Sequence, residues 1–195
     1  SRVNPVFIET NPENNFMPVA DDIRPHIKNA TMIALCSPLN PTGTVFGKKQ
    51  LEDICDLILE ENKRRGNDAK PLYLLYDQIY WILTYGKTEH HDPVSLRPAM
   101  RAYTIFIDGI SKSFAATGVR VGWSTGPRNI IDKMKSILSH LGAWAPKAEQ
   151  VAVAEFLKNK IAVDNYLVQF KEQVDNRLEG FYNGFVQLKK EGFNV

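Results

Sequence analysis

The sequence predicts an α/β fold with a mixed, mostly parallel sheet flanked by helices, and three observations carry that prediction. Apolar runs of strand length recur at 31–36 (TMIALC), 72–76 (LYLLY) and 104–109 (TIFIDG). Segments with helical periodicity alternate with such runs, as parallel neighbours need helical crossovers. Each run is followed by a polar residue suited to chemistry: Asn40, Asp77 and Lys112. In open parallel sheets, ligands bind beyond the carboxyl ends of the strands. The three residues are therefore expected along one rim.

In chain order, residues 5–8 (PVFI) read as a short strand, and 11–18 (NPENNFMP) as turn chemistry with two prolines. Asp21 and Asp22 open a short helix toward Ile27. The 31–36 run lacks alternation, as a strand covered on both faces would. In 37–45 (SPLNPTGTV), Pro38, Pro41 and Gly43 forbid regular structure and fix a stiff loop. Leu51, Ile54, Cys55 and Ile58 then recur at i, i+3, i+4, i+7 in a helix that stops at Gly66. Its basic end at 62–66 (NKRRG) reads as a cap favoured by the helix dipole.

The second run ends in Asp77, with Tyr80 three residues on. The 86–98 stretch reads as loop, and the adjacent His90 and His91 as surface residues in preference to metal ligands. A fourth strand is expected over 119–125. Beyond it, Ile130, Ile131, Met134, Ile137, Leu138 and Leu141 define a helix stopped by Gly142, and 148–158 a second. Apolar residues from Leu167 to Leu188 recur every three or four positions in a long helix ending at Gly192. Trp81, Tyr85 and Trp144 are read as core aromatics by default.

Composition excludes several classes of function. The 195 residues are 44% hydrophobic and 24% charged, with net charge +2. That is ordinary globular composition, without the field that nucleic acid or an anionic membrane would demand. No apolar stretch of about 18 residues and no signal-peptide pattern is present, which predicts a soluble, cytoplasmic protein. Cys36 and Cys55 sit on an apolar strand and an apolar helix face and read as core thiols.

The chemistry converges on 104–123 (TIFIDGISKSFAATGVRVGW). A lysine just past a buried strand is poorly solvated, which favours the neutral amine that traps a carbonyl. A pyridine aldehyde phosphate at this rim would find its needs met group by group. Lys112 would condense with the aldehyde as a Schiff base and later move the substrate α-proton. Asp77 would keep the ring nitrogen protonated. Asn40 and Tyr80 would donate to the ring 3-oxygen, and Arg120 with Ser111 would hold the phosphate.

Three motifs carry a family resemblance: NPTG at 40–43, D-x-x-Y at Asp77 and Tyr80, and GISKSFAATGVRVG at 109–122. In this order the chain resembles the class I and II aminotransferase-like branch of fold type I pyridoxal-phosphate enzymes, near the aspartate and aromatic aminotransferases. The resemblance implies pyridoxal 5'-phosphate as cofactor and Lys112 as the lysine that carries it. It also implies Asp77, Asn40, Tyr80, Ser111 and Arg120 as cofactor-binding residues, with no metal. Some members place a phosphate-binding serine where this chain has Gly109, so the hydroxyl is expected from Ser111 or from elsewhere.

Transamination between an α-amino acid and a 2-oxo acid, in a homodimer, is the implied activity. A lyase or synthase of the same fold and a non-catalytic sensor domain of a regulator remain alternatives. Residues 1–160 would form part of the large cofactor-binding domain, and 161–195 a long interdomain helix leading into a small domain. In the family an N-terminal segment and that small domain complete the site, the latter with the arginine for the substrate carboxylate. Arg177 reads as a surface charge, and the chain is expected to be a fragment inactive by itself.

Overall fold

The computed structural model describes residues 4–195. Four strands, β1 (Met32–Cys36), β2 (Tyr73–Asp77), β3 (Thr104–Gly109) and β4 (Gly122–Thr125), form one sheet in sequence order. β1 and β3 flank β2 in parallel, and β4 runs antiparallel to β3. The sheet is thus mixed and mostly parallel, as expected. Short helices α1 (Ala20–Ile23), α3 (Pro93–Leu96) and α4 (Ile110–Ser113) punctuate the connections. The longer ones are α2 (Lys48–Arg65), α5 (Arg128–Leu141), α6 (Lys147–Lys158) and α7 (Lys160–Lys190).

α2 is the β1–β2 crossover, and its periodic stripe makes the main core. Leu51, Ile54, Cys55 and Ile58 are fully buried against Leu72, Leu74, Tyr76, Phe46 and Met100. Each side chain of this size contributes about 1.5–3 kcal/mol by leaving water. The helix stops at Gly66, whose φ of 60° suits a residue without Cβ. Its basic end does more than cap. The buried Asn62 amide donates to Leu72 O at 2.9 Å and accepts from Leu72 N at 2.7 Å. Arg65 donates to Ile27 O and Ala30 O, each at 2.8 Å, and so ties the helix to the chain entering β1.

Three expectations are corrected here. Residues 5–8 pair with no strand among the described residues, and Val6 and Phe7 are 62% and 86% exposed. An extended segment without a partner leaves its backbone groups to water and gains no ladder. β1 is covered on one face, not both: Ile33 and Leu35 pack against the core, while Met32 and Ala34 on the opposite face are exposed. The fourth strand starts at Gly122, not 119: a 3-10 turn over Thr117–Val119 and a left-handed Arg120 (φ 62°) precede it.

The C-terminal helices fall where the periodicity placed them. α5 ends at Gly142 in a left-handed cap whose N–H reaches Leu138 O. α7 runs 31 residues, and the Tyr166 ring stacks on Phe114 while its hydroxyl donates to Phe114 O at 3.0 Å. Farther along, Leu178, Phe181, Tyr182 and Phe185 are exposed. Among the described residues no helix is long and apolar enough to cross a membrane.

Candidate active site

The parallel register sets the strand ends level. Cys36 pairs with Asp77 and Asp77 with Ile107, so the loop after β1, the turn after β2 and the start of α4 open on one rim. Asn40, Asp77, Tyr80, Ser111 and Lys112 all belong to those three connections. The loop over 37–46 is cinched from within: Ser37 Oγ accepts from Phe46 N at 3.2 Å, and Gly43 N donates to Leu39 O at 2.7 Å. That leaves Asn40 exposed at its tip. Gly43 has φ 70°, which explains a glycine there.

Asp77 is half-buried, and one carboxylate oxygen accepts from Ile79 N at 3.1 Å, which starts the turn that carries Tyr80. The Lys112 ammonium lies 5.6 Å from the centre of the Tyr80 ring, so these two residues are together. Ser111 is half-buried beside Lys112 in α4. Arg120 is exposed, and its guanidinium donates to Thr117 O at 2.7 Å, within its own turn. It stands after α4 on the approach to β4, the connection that completes this end of the sheet.

Gly109 explains the missing serine. A Cβ at this position would lie 2.9 Å from both Gly122 Cα and Val121 O. Both obstacles are backbone, so any side chain would force β3 and β4 apart. The hydroxyl nearest in sequence to Lys112 is thus left to Ser111 and Ser113, and Ser113 is buried with Oγ toward Gly109 O.

Two features escaped the sequence reading. His90 is half-buried: both ring nitrogens are out of contact with solvent and lack a partner among the described residues, and the ring lies 5.9 Å from Tyr76 and 6.2 Å from Trp81. Burial holds its imidazole down to about 4, against the charge of Asp92, which raises it. Trp81, taken as core, is 40% exposed, and its indole donates to Asp108 Oδ2 at 2.9 Å. Trp144 is likewise exposed at 48%. The Asp108 carboxyl is pushed up chiefly by burial, while donors from Gly109, Trp81 and Gln78 pull it down. A lone carboxylate closing the apolar run TIFIDG was the available signal.

An amine, a carboxylate, an amide, a phenol, a hydroxyl and a guanidinium thus come from the connections at one end of a mostly parallel sheet. This donor set fits a pyridine aldehyde phosphate, with a Lewis-basic amine for the carbonyl and an anion for the ring nitrogen. The fold and this donor set define an aminotransferase-type domain. The family model described as aminotransferase class I and II matches residues 1–195, and the chain belongs to that family, which works with pyridoxal phosphate.

Among its relatives, an aspartate aminotransferase of Bacillus sp. (strain YM-2) is 31% identical over 195 residues, 96% of this chain and 47% of the relative. An asparagine–oxo-acid transaminase of Streptococcus mutans is also 31% identical, over the same shares. The structure of Thermus thermophilus aspartate aminotransferase with maleate superposes with a TM-score of 0.83 at 30% identity, over 94% of this chain and 45% of that one. The chain spans about half the length of the curated relatives it matches.

Two outcomes follow. Gly109→Ala is expected to cost about 1–3 kcal/mol, the range for overpacking, in denaturant unfolding of the full-length protein. Gly118→Ala, where nothing lies within 4 Å of the added methyl, should be near neutral. An unaltered midpoint for Gly109→Ala would show that β4 can yield. His90 stays neutral in the fold but titrates near 6.5 when unfolded. Its depressed value means stability is full above about 6.5 and is lost as pH falls toward about 4. Between pH 7 and 5 the wild type should lose about 1 kcal/mol more than His90→Phe, allowing for partial solvent screening. Equal losses would refute the buried neutral ring.

Proposed function

We propose that the full-length protein transfers an amino group between an α-amino acid and a 2-oxo acid, with pyridoxal phosphate held at the sheet rim and Lys112 as the catalytic lysine. The observation that carries this reading is the Lys112 amine over the Tyr80 ring, 5.6 Å from its centre, beside the strand end that bears Asp77. When bound, the cofactor supplies a protonated pyridine ring that takes up the electron pair left by the departing substrate α-proton.

The chain's own residues divide the remaining work. Lys112 anchors the cofactor through its amine and, once free, removes and returns the α-proton. The Asp77 carboxylate would pair with the ring nitrogen and keep its proton in place. The Tyr80 phenol and Asn40 amide donate to the ring 3-oxygen. Arg120 and Ser111 take the phosphate; the guanidinium gives one Nη1–H to the Thr117 carbonyl and keeps its other donors for the anion. Residues 1–160 serve as part of the large domain and 161–195 as the helix toward a second one. Family membership also supports a homodimer, with an amino acid and a 2-oxo acid as substrates.

The purified full-length protein mixed with pyridoxal phosphate should develop a visible absorbance band, and Lys112→Ala should abolish it. Turnover in that variant should fall by about 100-fold to 10,000-fold, the usual worth of a positioned acid–base group. A band that survives the substitution would overturn the lysine assignment. Amination of an added 2-oxo acid at the expense of an amino donor separates transamination from elimination.

A further inference from the structure

Tyr80 and Lys112 reach the same point from different connections, and between them Ile79 Cδ1 packs 3.4 Å from where a Cβ of Gly109 would stand. The last β2–β3 backbone contact is Gln78 N to Ile107 O at 3.0 Å. Past it, among the described residues, the backbone hydrogen bonds of the turn that carries Tyr80 are local: Trp81 N to Gln78 O at 2.9 Å and Leu83 N to Tyr80 O at 2.8 Å. Such bonds shape a turn without fixing where it sits.

The link back to β3 is made by side chains. The residue after Tyr80, Trp81, donates its indole N–H to Asp108 Oδ2 at 2.9 Å. The other oxygen of that carboxylate accepts from Gly109 N at 2.7 Å, at the junction where β3 gives way to α4 and Lys112. One carboxylate thus joins the Tyr80 turn to the base of the Lys112 helix. Behind the indole, His90 and then Tyr76 continue as a column of rings into the core, with Tyr76 fully buried.

We infer that Asp108 and Trp81 are positioning residues: their hydrogen bond sets the Tyr80 phenol against the Lys112 amine by tying the turn of one to the strand end of the other. The inference rests on the roles proposed above for Tyr80 and Lys112. A phenol held by this bridge donates well to the ring 3-oxygen, whose charge grows as the bound chromophore loses its proton. A slack turn weakens that donation. The pH midpoint of the cofactor's visible band then rises, while the overall fold is retained.

Hydrogen exchange of the full-length protein without cofactor, followed over 78–85, tests the bridge itself. Trp81→Phe keeps the ring and loses the N–H, and should speed exchange there by about tenfold, the scale set by one hydrogen bond to a charged acceptor. Asp108→Asn keeps the size and one acceptor and should fall between wild type and Asp108→Ala. With pyridoxal phosphate added, the band midpoint should rise in the same order. Unchanged exchange in Trp81→Phe overturns the inference, because the bridge then holds nothing. Faster exchange with an unmoved midpoint also overturns it, reducing the pair to local packing. Failure of the wild type to take up cofactor defeats the proposed function on which the inference rests, and does so before any variant is compared.

Discussion

The site depends on β2 staying in register between its two parallel neighbours. Tyr73 N donates to Thr31 O at 3.1 Å and Leu74 N to Tyr103 O at 2.9 Å, so both partners grip the strand from its first residues. Side chains alternate faces along a strand, and a slip of one residue moves every one of them to the opposite face. Here a slip would turn Asp77 into the core that Tyr76 fills and drive the fully buried Tyr76 out. Burying an unpaired carboxylate costs several kcal/mol, so the core that selects Leu74 and Tyr76 also selects where Asp77 points.

That register is secured at the end of the sheet away from the rim. The C-terminal turn of α2 holds the entries of both β1 and β2, with Asn62 on Leu72 and Arg65 on the carbonyls of Ile27, Ala30 and Lys70. Glu61, buried itself, orients Arg65 at 2.8 Å. Hydrogen bonds from Arg64 first, and from Arg65, hold its carboxyl down to about 2. Hydrogen bonds to charged groups are worth about 1.5–3 kcal/mol each, so the knot is strong where chemistry is absent. The carboxyl ends of the strands are then free to carry polar groups that stability alone would not retain.

The sheet, its crossover helix and the long C-terminal helix were legible because each rests on a local pattern: apolar runs of strand length and recurrence every three or four residues. NPTG, D-x-x-Y and the lysine motif were legible for a different reason, since spacing within a loop survives translation into structure. What escaped depends on contacts between distant segments. His90 looked exposed in a polar stretch, and its ring packs near Tyr76 and Trp81, 14 and 9 residues upstream. Trp81 pairs with a carboxylate 27 residues away. Residues 5–8 have strand composition, yet a strand is made by its neighbour, and β1 reads as covered on both faces although the described residues pack against Ile33 and Leu35 and leave Met32 and Ala34 exposed.

The rim carries two carboxylates, and pleating separates their work. Asp77 is in register with Cys36 and Ile107, so it shares their face of the sheet. Asp108 follows Ile107 and therefore lies on the other face, with Phe106, Tyr76 and the α2 core. There it meets an indole and a backbone N–H at 2.9 and 2.7 Å, and both of its oxygens are engaged by the protein. Asp108 is thus engaged on that face as a tie between two segments. Asp77 binds the protein through Ile79 N with one oxygen and stands on the face away from α2, which suits it to an external cation. A one-residue offset on a pleated strand thus makes one acid a structural tie and leaves the other for the proposed cofactor.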